Sequence, residues 1–217
     1  MAVEIQTIET ERDRLGEGPL WDPRDQVLYW VDSNGCRIRR LDPKTGEVVN
    51  WLIAEQIGSM ALREAGGAVI ALKSGFHFFD FESGTVTPIV NPEPGEDRTR
   101  FNDGKVDRQG RFLTGSMDMP GLNDSRGSLY RLDTDLSISK LRENIGVSNG
   151  PCFSPDGGTF YFADSPRRMI WAYDYDVATG EVSNMRTFID LEPLDAFPDG
   201  ATVDSEGCLW SALVSKG

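Results

Sequence analysis

The sequence has 217 residues, of which 39% are hydrophobic and 26% charged, and a globular chain of this length can bury roughly 70% of its unfolded surface. The 23 glycines suit a β fold with many turns. The net charge of −13 argues against a nucleic-acid or anionic-membrane partner, because both bind basic surfaces.

The first residues show no targeting signal, because residues 1–5 lack the basic and apolar segments of a secretory signal. Residues 3–10 alternate between apolar and polar side chains and predict a strand. No stretch approaches the ~20 apolar residues of a transmembrane helix. The cysteines Cys36, Cys152 and Cys208 are odd in number and far apart, which favours reduced thiols in a cytoplasmic protein.

Short strands at a spacing of about ten residues follow along the chain, separated by turns rich in Gly, Pro, Asn and Asp. The first group comprises residues 26–31, 37–41 and 47–51. We find no helical periodicity longer than two turns. The later predicted strands are 68–72, 75–81, 84–87, 111–115, 127–133, 137–140, 159–163, 169–173, 179–182 and 208–213.

A short phrase precedes each group of strands. It begins with an oxygen-bearing side chain, passes through glycine and reaches an apolar residue four places later. A fifth copy, residues 58–62, has glycine in place of the oxygen-bearing side chain. Groups of four strands at a period of ~40–50 residues are typical of β-propeller blades. The apolar residues, separated by 41, 44, 47 and 50 positions, are Trp21, Leu62, Val106, Phe153 and Val203.

The sequence therefore predicts one all-β propeller domain over residues 1–217. The fifth group ends after its second strand, 208–213. Six repeats of this size would need about 280–290 residues, so we expect the chain to cover about four and a half blades and to lack C-terminal blades of roughly 75 residues. Residues 3–10 would then pair with the missing segment.

The oxygen-bearing residues of the phrase are Glu17, Asn102, Asn149 and Asp199. The first strand of each blade lines the central channel, so we expect these side chains at about the same height around the axis. Two carboxylates placed together without a basic partner are costly, and a divalent cation removes that cost. An all-oxygen set suits Ca²⁺, Mg²⁺ or Mn²⁺. The alternative is that Asn and Asp before Gly are turn residues only.

The sequence contains the phrases EGPLW at 17–21, RFNDGKVD at 100–107, GSM at 115–117, GSLY at 127–130, SNGP at 148–151, ADS at 163–165 and PDG at 198–200. Together they resemble the gluconolactonase/regucalcin (SMP-30) family of sugar lactonases. The resemblance implies a six-bladed propeller that holds one divalent cation in its channel and hydrolyses aldonolactones, with Zn²⁺ or Fe²⁺ as further candidates besides the hard cations.

The resemblance also implies residue roles. Glu17, Asn149 and Asp199 would be metal ligands, with Asp199 also serving as the catalytic base. Arg100 and Asn102 would hold substrate hydroxyls. Some family members carry an acidic substrate contact in the loop after the GSM phrase, and Asp118 is the nearest acid in this sequence.

We therefore expect a metal-dependent lactonase that acts on a small-molecule sugar lactone, with calcium as the favoured cation. One alternative is a propeller esterase or phosphotriesterase, which would need a more apolar pocket. Another is a calcium-binding, regulatory propeller without catalysis. The single histidine, His77, argues against a His-rich zinc site and against a Ser-His-Asp triad. The sequence leaves the sugar, the physiological metal and the oligomeric state open.

Overall fold

The structure is a computed structural model that describes residues 7–8, 10–119 and 124–214, and this part of the chain is almost entirely β-strand. Two 3-10 helices, Ser165–Arg167 and Glu192–Leu194, are the helical elements among the described residues. The strands are β1 (Gly16–Asp22), β2 (Val27–Asp32), β3 (Arg37–Leu41), β4 (Val48–Leu52), β5 (Ile57–Leu62), β6 (Ala68–Leu72), β7 (Gly75–Phe79), β8 (Val86–Val90), β9 (Thr99–Val106), β10 (Phe112–Asp118), β11 (Gly127–Leu132), β12 (Ile138–Ile145), β13 (Ser148–Phe153), β14 (Thr159–Asp164), β15 (Met169–Tyr175), β16 (Val182–Asp190), β17 (Phe197–Val203) and β18 (Leu209–Val214).

The strands form four antiparallel sheets of four strands and one sheet of two strands. Each sheet runs in chain order, from β1–β4, β5–β8, β9–β12 and β13–β16 to the pair β17–β18. The first strands of successive sheets contact one another in the order β1, β5, β9, β13 and β17. Sheets of this kind arranged side by side by their first strands are propeller blades. This confirms the predicted all-β propeller, with about four and a half blades in the described residues.

Most strand predictions agree with the structure except at strand ends, but the predicted strand 179–182 overlaps β16 only at Val182. The predicted strand 68–72 coincides with β6, while the predicted strand 75–81 ends earlier, at Phe79 in β7. The predicted strand 3–10 falls largely outside the described residues. No helix among the described residues is long and apolar enough to cross a bilayer.

The hydrophobic core lies between successive blades. Each of the four core clusters contains residues from two neighbouring sheets, such as Phe76 of β7 with Phe101 of β9, whose rings are 4.9 Å apart. Alternation along the strands explains this, because one face of each sheet turns toward each neighbouring blade. Among the aromatic residues of second strands, Tyr29, Phe112, Phe160 and Phe162 are core residues, whereas Trp210 of β18 is 65% exposed. His77 is buried in β7, where Nδ1 lies 3.1 Å from the carbonyl oxygen of Gly75.

Candidate metal centre

The recurring phrase forms a β-bulge in the first strand of each blade. In β1, Glu17 pairs with Val31 and the next paired residue is Leu20, so two residues of β1 face one residue of β2. The same interruption follows Asn149 in β13. Gly18 and Gly150 come next, and both have φ +56°. Glycine adopts this left-handed conformation at little cost, so the phrase can form the bulge.

In β9 and β17 the bulge falls one residue earlier relative to the phrase. Asn102 lies inside the bulge between the paired residues Phe101 and Gly104. Asp199 likewise lies inside the bulge of β17, after the paired residue Pro198. Relative to the bulge, Asn102 and Asp199 therefore lie one position later than Glu17 and Asn149. A bulge changes the direction of neighbouring side chains, so positions before and within it can face the same channel.

A chain of hydrogen bonds connects three blades across this channel. Arg100 Nη1 donates to Asn102 Oδ1 at 3.1 Å, and Asn102 Nδ2 donates to Asn149 Oδ1 at 3.0 Å. Asn149 Nδ2 donates to Ser165 Oγ at 2.8 Å, and this hydroxyl donates to the carbonyl oxygen of Pro198 at 2.6 Å. Because Ser165 holds the amide nitrogen of Asn149, the amide oxygen is directed toward Asn102.

Two partly exposed carboxylates lie next to this chain, on β1 and β17. Burial and then the negative charges of Asp199 and Asp103 together raise the pKa of Glu17 to about 7, against the opposing effect of Arg100. Burial also raises the pKa of Asp199, although hydrogen bonds from the Gly200 N–H and the Asn149 side chain act against this rise. The channel thus holds acidic groups that are costly to ionise without a nearby positive charge.

Asp103 is a third acidic residue of the channel that the sequence reasoning did not single out. Its Oδ1 accepts the N–H of Gly104 at 2.8 Å and its Oδ2 accepts the N–H of Gly150 at 3.0 Å. Burial raises its pKa to about 6 in spite of these two hydrogen bonds. The available signal was its position directly after Asn102 in the RFNDGKVD phrase, in a strand that lines the channel.

The donor set fits a hard divalent cation. Glu17 and Asp199 supply carboxylate oxygens, and Asn149 supplies an amide oxygen whose direction Ser165 fixes. These are the oxygen ligands that Ca²⁺ and Mg²⁺ prefer. Within the described residues, no three His, Cys, Asp or Glu side chains are placed to hold a metal by themselves. A cation here would accordingly depend on the amide oxygen and on water to complete its coordination.

Asp118 lies at the end of β10 and is fully buried. Its Oδ2 accepts a hydrogen bond from Arg98 Nη2 at 3.1 Å, and Arg126 Nε lies 3.7 Å from the same oxygen. The carboxylate is therefore already paired with two guanidinium groups. A contact between Asp118 and substrate stays a prediction.

Two other aspartates end second strands as Asp118 does, and both hold a loop in place. Asp32, at the end of β2, accepts the N–H of Leu15 at 3.0 Å. Asp164, at the end of β14, accepts the N–H of Val147 at 3.1 Å. Each donor belongs to the residue or loop that leads into a channel-lining strand. The shared position indicates that an acid at this point of the blade supports the channel mouth.

Comparisons with known proteins agree with this architecture. A family profile described as SMP-30/Gluconolactonase/LRE-like region matches residues 15–217. The chain is 37% identical to regucalcin of Xenopus laevis, with 100% of the chain and 74% of that protein covered. It is 38% identical to a 6-deoxy-6-sulfogluconolactonase of Pseudomonas putida, with 94% of the chain and 69% of that protein covered.

Among solved structures, the chain is similar to a calcium-binding protein, regucalcin, from Agrobacterium tumefaciens. The TM-score is 0.91 at 26% identity, and the match covers 97% of the chain and 71% of that protein. The profile covers nearly the whole sequence, and both relatives exceed 30% identity over most of their own length. The chain therefore belongs to the SMP-30/gluconolactonase/LRE-like family.

Proposed function

We propose that this protein is a metal-dependent hydrolase that opens a sugar (aldono)lactone to the aldonic acid. The observation that carries the proposal is the hydrogen-bond chain that fixes the Asn149 amide beside two acidic side chains, Glu17 and Asp199. A relative named as a sulfogluconolactonase and another named as a calcium-binding protein support the same combination of substrate class and cation.

In this proposal Glu17, Asn149 and Asp199 hold one divalent cation. Calcium is the cation we favour because all three donors are oxygens, and Mg²⁺, Mn²⁺, Zn²⁺ and Fe²⁺ are the others to compare. When bound, the cation would act as a Lewis acid on the lactone carbonyl. Ser165 would keep the Asn149 amide oriented throughout, since its hydroxyl is tied to the carbonyl oxygen of Pro198.

Asp199 is the proposed general base. Burial raises the pKa of its carboxyl group, which makes the carboxylate a better proton acceptor near neutral pH. It would take a proton from the attacking water and return it to the ring oxygen as the ester bond breaks. The atoms balance, because one water is consumed and one carboxylic acid and one hydroxyl group are formed.

Arg100 and Asn102 are the proposed contacts to substrate hydroxyls. Arg100 Nη1 donates to the Phe101 carbonyl oxygen at 2.9 Å and to Asn102 Oδ1 at 3.1 Å. Its Nε and Nη2 make no hydrogen bond to the described residues, so they are available for hydroxyl oxygens or a developing negative charge. Asp118 would support the mouth of the channel through Arg98, and a direct contact to substrate is the further role to test.

A cytoplasmic location is part of the proposal. The three cysteines are all free, and one of them is buried. Unpaired thiols of this kind persist in a reducing compartment. The partner we propose is a small neutral or acidic sugar lactone.

The test measures the rate of lactone hydrolysis from the protons that the acid product releases. Protein stripped with EDTA should be inactive on aldonolactones, and Ca²⁺ or another divalent cation should restore the rate. Asp199→Asn should remove the activity, while Arg100→Ala should raise KM and leave the metal content unchanged. Unaltered kinetics in Arg100→Ala would contradict the role of this residue.

Two outcomes would favour the alternatives. Faster turnover of aryl esters or organophosphates than of any aldonolactone would identify a propeller esterase or phosphotriesterase. Tight calcium binding in calorimetry, with no lactone opened by the metal-saturated protein, would identify a calcium-binding protein without catalysis.

A further inference from the structure

Asp103, on β9, lies near the strands β13 and β17 that supply the proposed ligands Asn149 and Asp199. Its carboxylate accepts the N–H of Gly150, the residue directly after Asn149, at 3.0 Å. The same oxygen lies 3.8 Å from the position that a side chain on Gly200, directly after Asp199, would begin to occupy. One carboxylate from β9 therefore accepts a hydrogen bond from the bulge of β13 and lies beside the bulge of β17.

The bulge of β13 leaves little room for a side chain in place of Gly150. A Cβ atom on Gly150 would lie 3.0 Å from the Asp199 carbonyl oxygen and 3.0 Å from Ala201 Cβ. The two strands thus approach each other at the place where Asp103 accepts its hydrogen bond. A change in the position of Gly150 would move the backbone of Asn149, and with it the amide oxygen.

Asp103 is also tied on its other oxygen, because Oδ1 accepts the N–H of Gly104 at 2.8 Å. With each oxygen engaged by a backbone donor, the carboxylate is held behind the proposed ligands and is not free to turn into the channel. From this position its negative charge still acts on Glu17, and a third negative charge near the site favours a divalent cation.

We propose that Asp103 is a positioning residue of the metal centre. It holds the Asn149 ligand through the Gly150 N–H and adds a negative charge behind the cation without being a ligand itself. This inference rests on the proposed function, since it supposes a cation between Glu17, Asn149 and Asp199. Groups that hold metal ligands in place contribute about 10- to 100-fold to metal affinity in other proteins.

The test compares Asp103→Asn with a matched control, Asp156→Asn. Asp156 also accepts a glycine N–H, that of Gly158 at 2.9 Å, but in the exposed turn at the other end of β13. Asparagine at 103 keeps the shape, loses the charge and offers one oxygen to two N–H donors. If Asp103→Asn does not fold, Asp103→Ser, which keeps an acceptor oxygen, replaces it.

The first measurement is the Ca²⁺ dissociation constant, determined by calorimetry at a temperature well below the melting temperature. The second is the number of water molecules bound to Tb³⁺ in the site, determined from its luminescence lifetime. We expect Asp103→Asn to bind Ca²⁺ about 10-fold or more weakly, with the number of waters on Tb³⁺ unchanged and the control variant like the wild type.

Three results would overturn the inference. A wild-type Ca²⁺ affinity in Asp103→Asn, even with a lower melting temperature in EDTA, would show a structural role only. An additional water on Tb³⁺ would show that Asp103 is a ligand. Absence of any dication binding by the wild-type protein would refute the proposed function, and this inference with it.

Discussion

Replacing Glu17 by Gln tests whether the channel needs a cation to hold its charges. The pKa of Glu17 is raised from its ordinary value of 4.5 to about 7, first by burial and then by Asp199 and Asp103. At 1.36 kcal/mol for each pKa unit this rise corresponds to about 3 kcal/mol of unfavourable free energy when the group is ionised. Because Glu17 is partly exposed, solvent screens part of this free energy and leaves about 2 kcal/mol.

The sign of the effect depends on pH. Below pH 4.5 Glu17 is protonated in both the folded and the unfolded chain, so its contribution to stability is fully present. This contribution is lost as the pH rises through about 7, where the folded chain must also ionise. At pH 8 in EDTA, Glu17→Gln should therefore unfold about 4–8 °C above the wild type, since 1 kcal/mol shifts the melting temperature of a chain of this size by ~2–4 °C.

In calcium, the wild type should have a higher melting temperature than Glu17→Gln. A cation present at 100 times its dissociation constant stabilises the folded wild type by about 2.7 kcal/mol, and Glu17→Gln should gain little because a ligand is lost. The assay is thermal unfolding at pH 5 and pH 8, in EDTA and in Ca²⁺, with the exposed Glu181→Gln as control. A Glu17→Gln variant that melts like the wild type in EDTA at pH 8, or that gains as much from Ca²⁺, would refute the reasoning.

The remaining predictions concern residues that support the site. Ser165→Ala removes the acceptor that orients Asn149, so Ca²⁺ affinity by calorimetry should fall about 10-fold with the fold retained; an unchanged affinity would contradict the orienting role. Gly58→Ala would place a Cβ atom 2.5 Å from the backbone of Phe101, so urea unfolding should show a loss of about 1–3 kcal/mol, and wild-type stability would show that β5 and β9 can move apart. In Asp32, burial opposes ionisation, but backbone N–H groups and Arg37 outweigh it and lower the pKa to about 2. Its stabilisation is therefore present above its ordinary pKa of 3.8 and is lost as the pH falls through about 2. Asp32→Asn should accordingly lower the unfolding free energy at pH 7 and narrow its difference from the wild type in acid, and a difference independent of pH would contradict this assignment.

The sequence by itself determined the blades and pointed to a group of oxygen-bearing side chains as the candidate site. Local alternation and turn residues predict strands because each side chain in a strand alternates between two faces, and this signal does not depend on distant contacts. The recurring phrase likewise pointed to Glu17 and Asn149, which occupy equivalent positions before their bulges.

The tertiary structure alone decided how the oxygens are placed. The bulge in β9 and β17 depends on pairing with the neighbouring strand, so the one-residue displacement of Asn102 and Asp199 is not visible in the phrase itself. The direction of the Asn149 amide is set by Ser165, which follows a different strand. The role of Asp103 depends on an N–H group that lies 47 positions away along the chain. Such contacts form only when the blades pack against one another, because hydrogen bonds between distant residues have no periodic signal in the sequence.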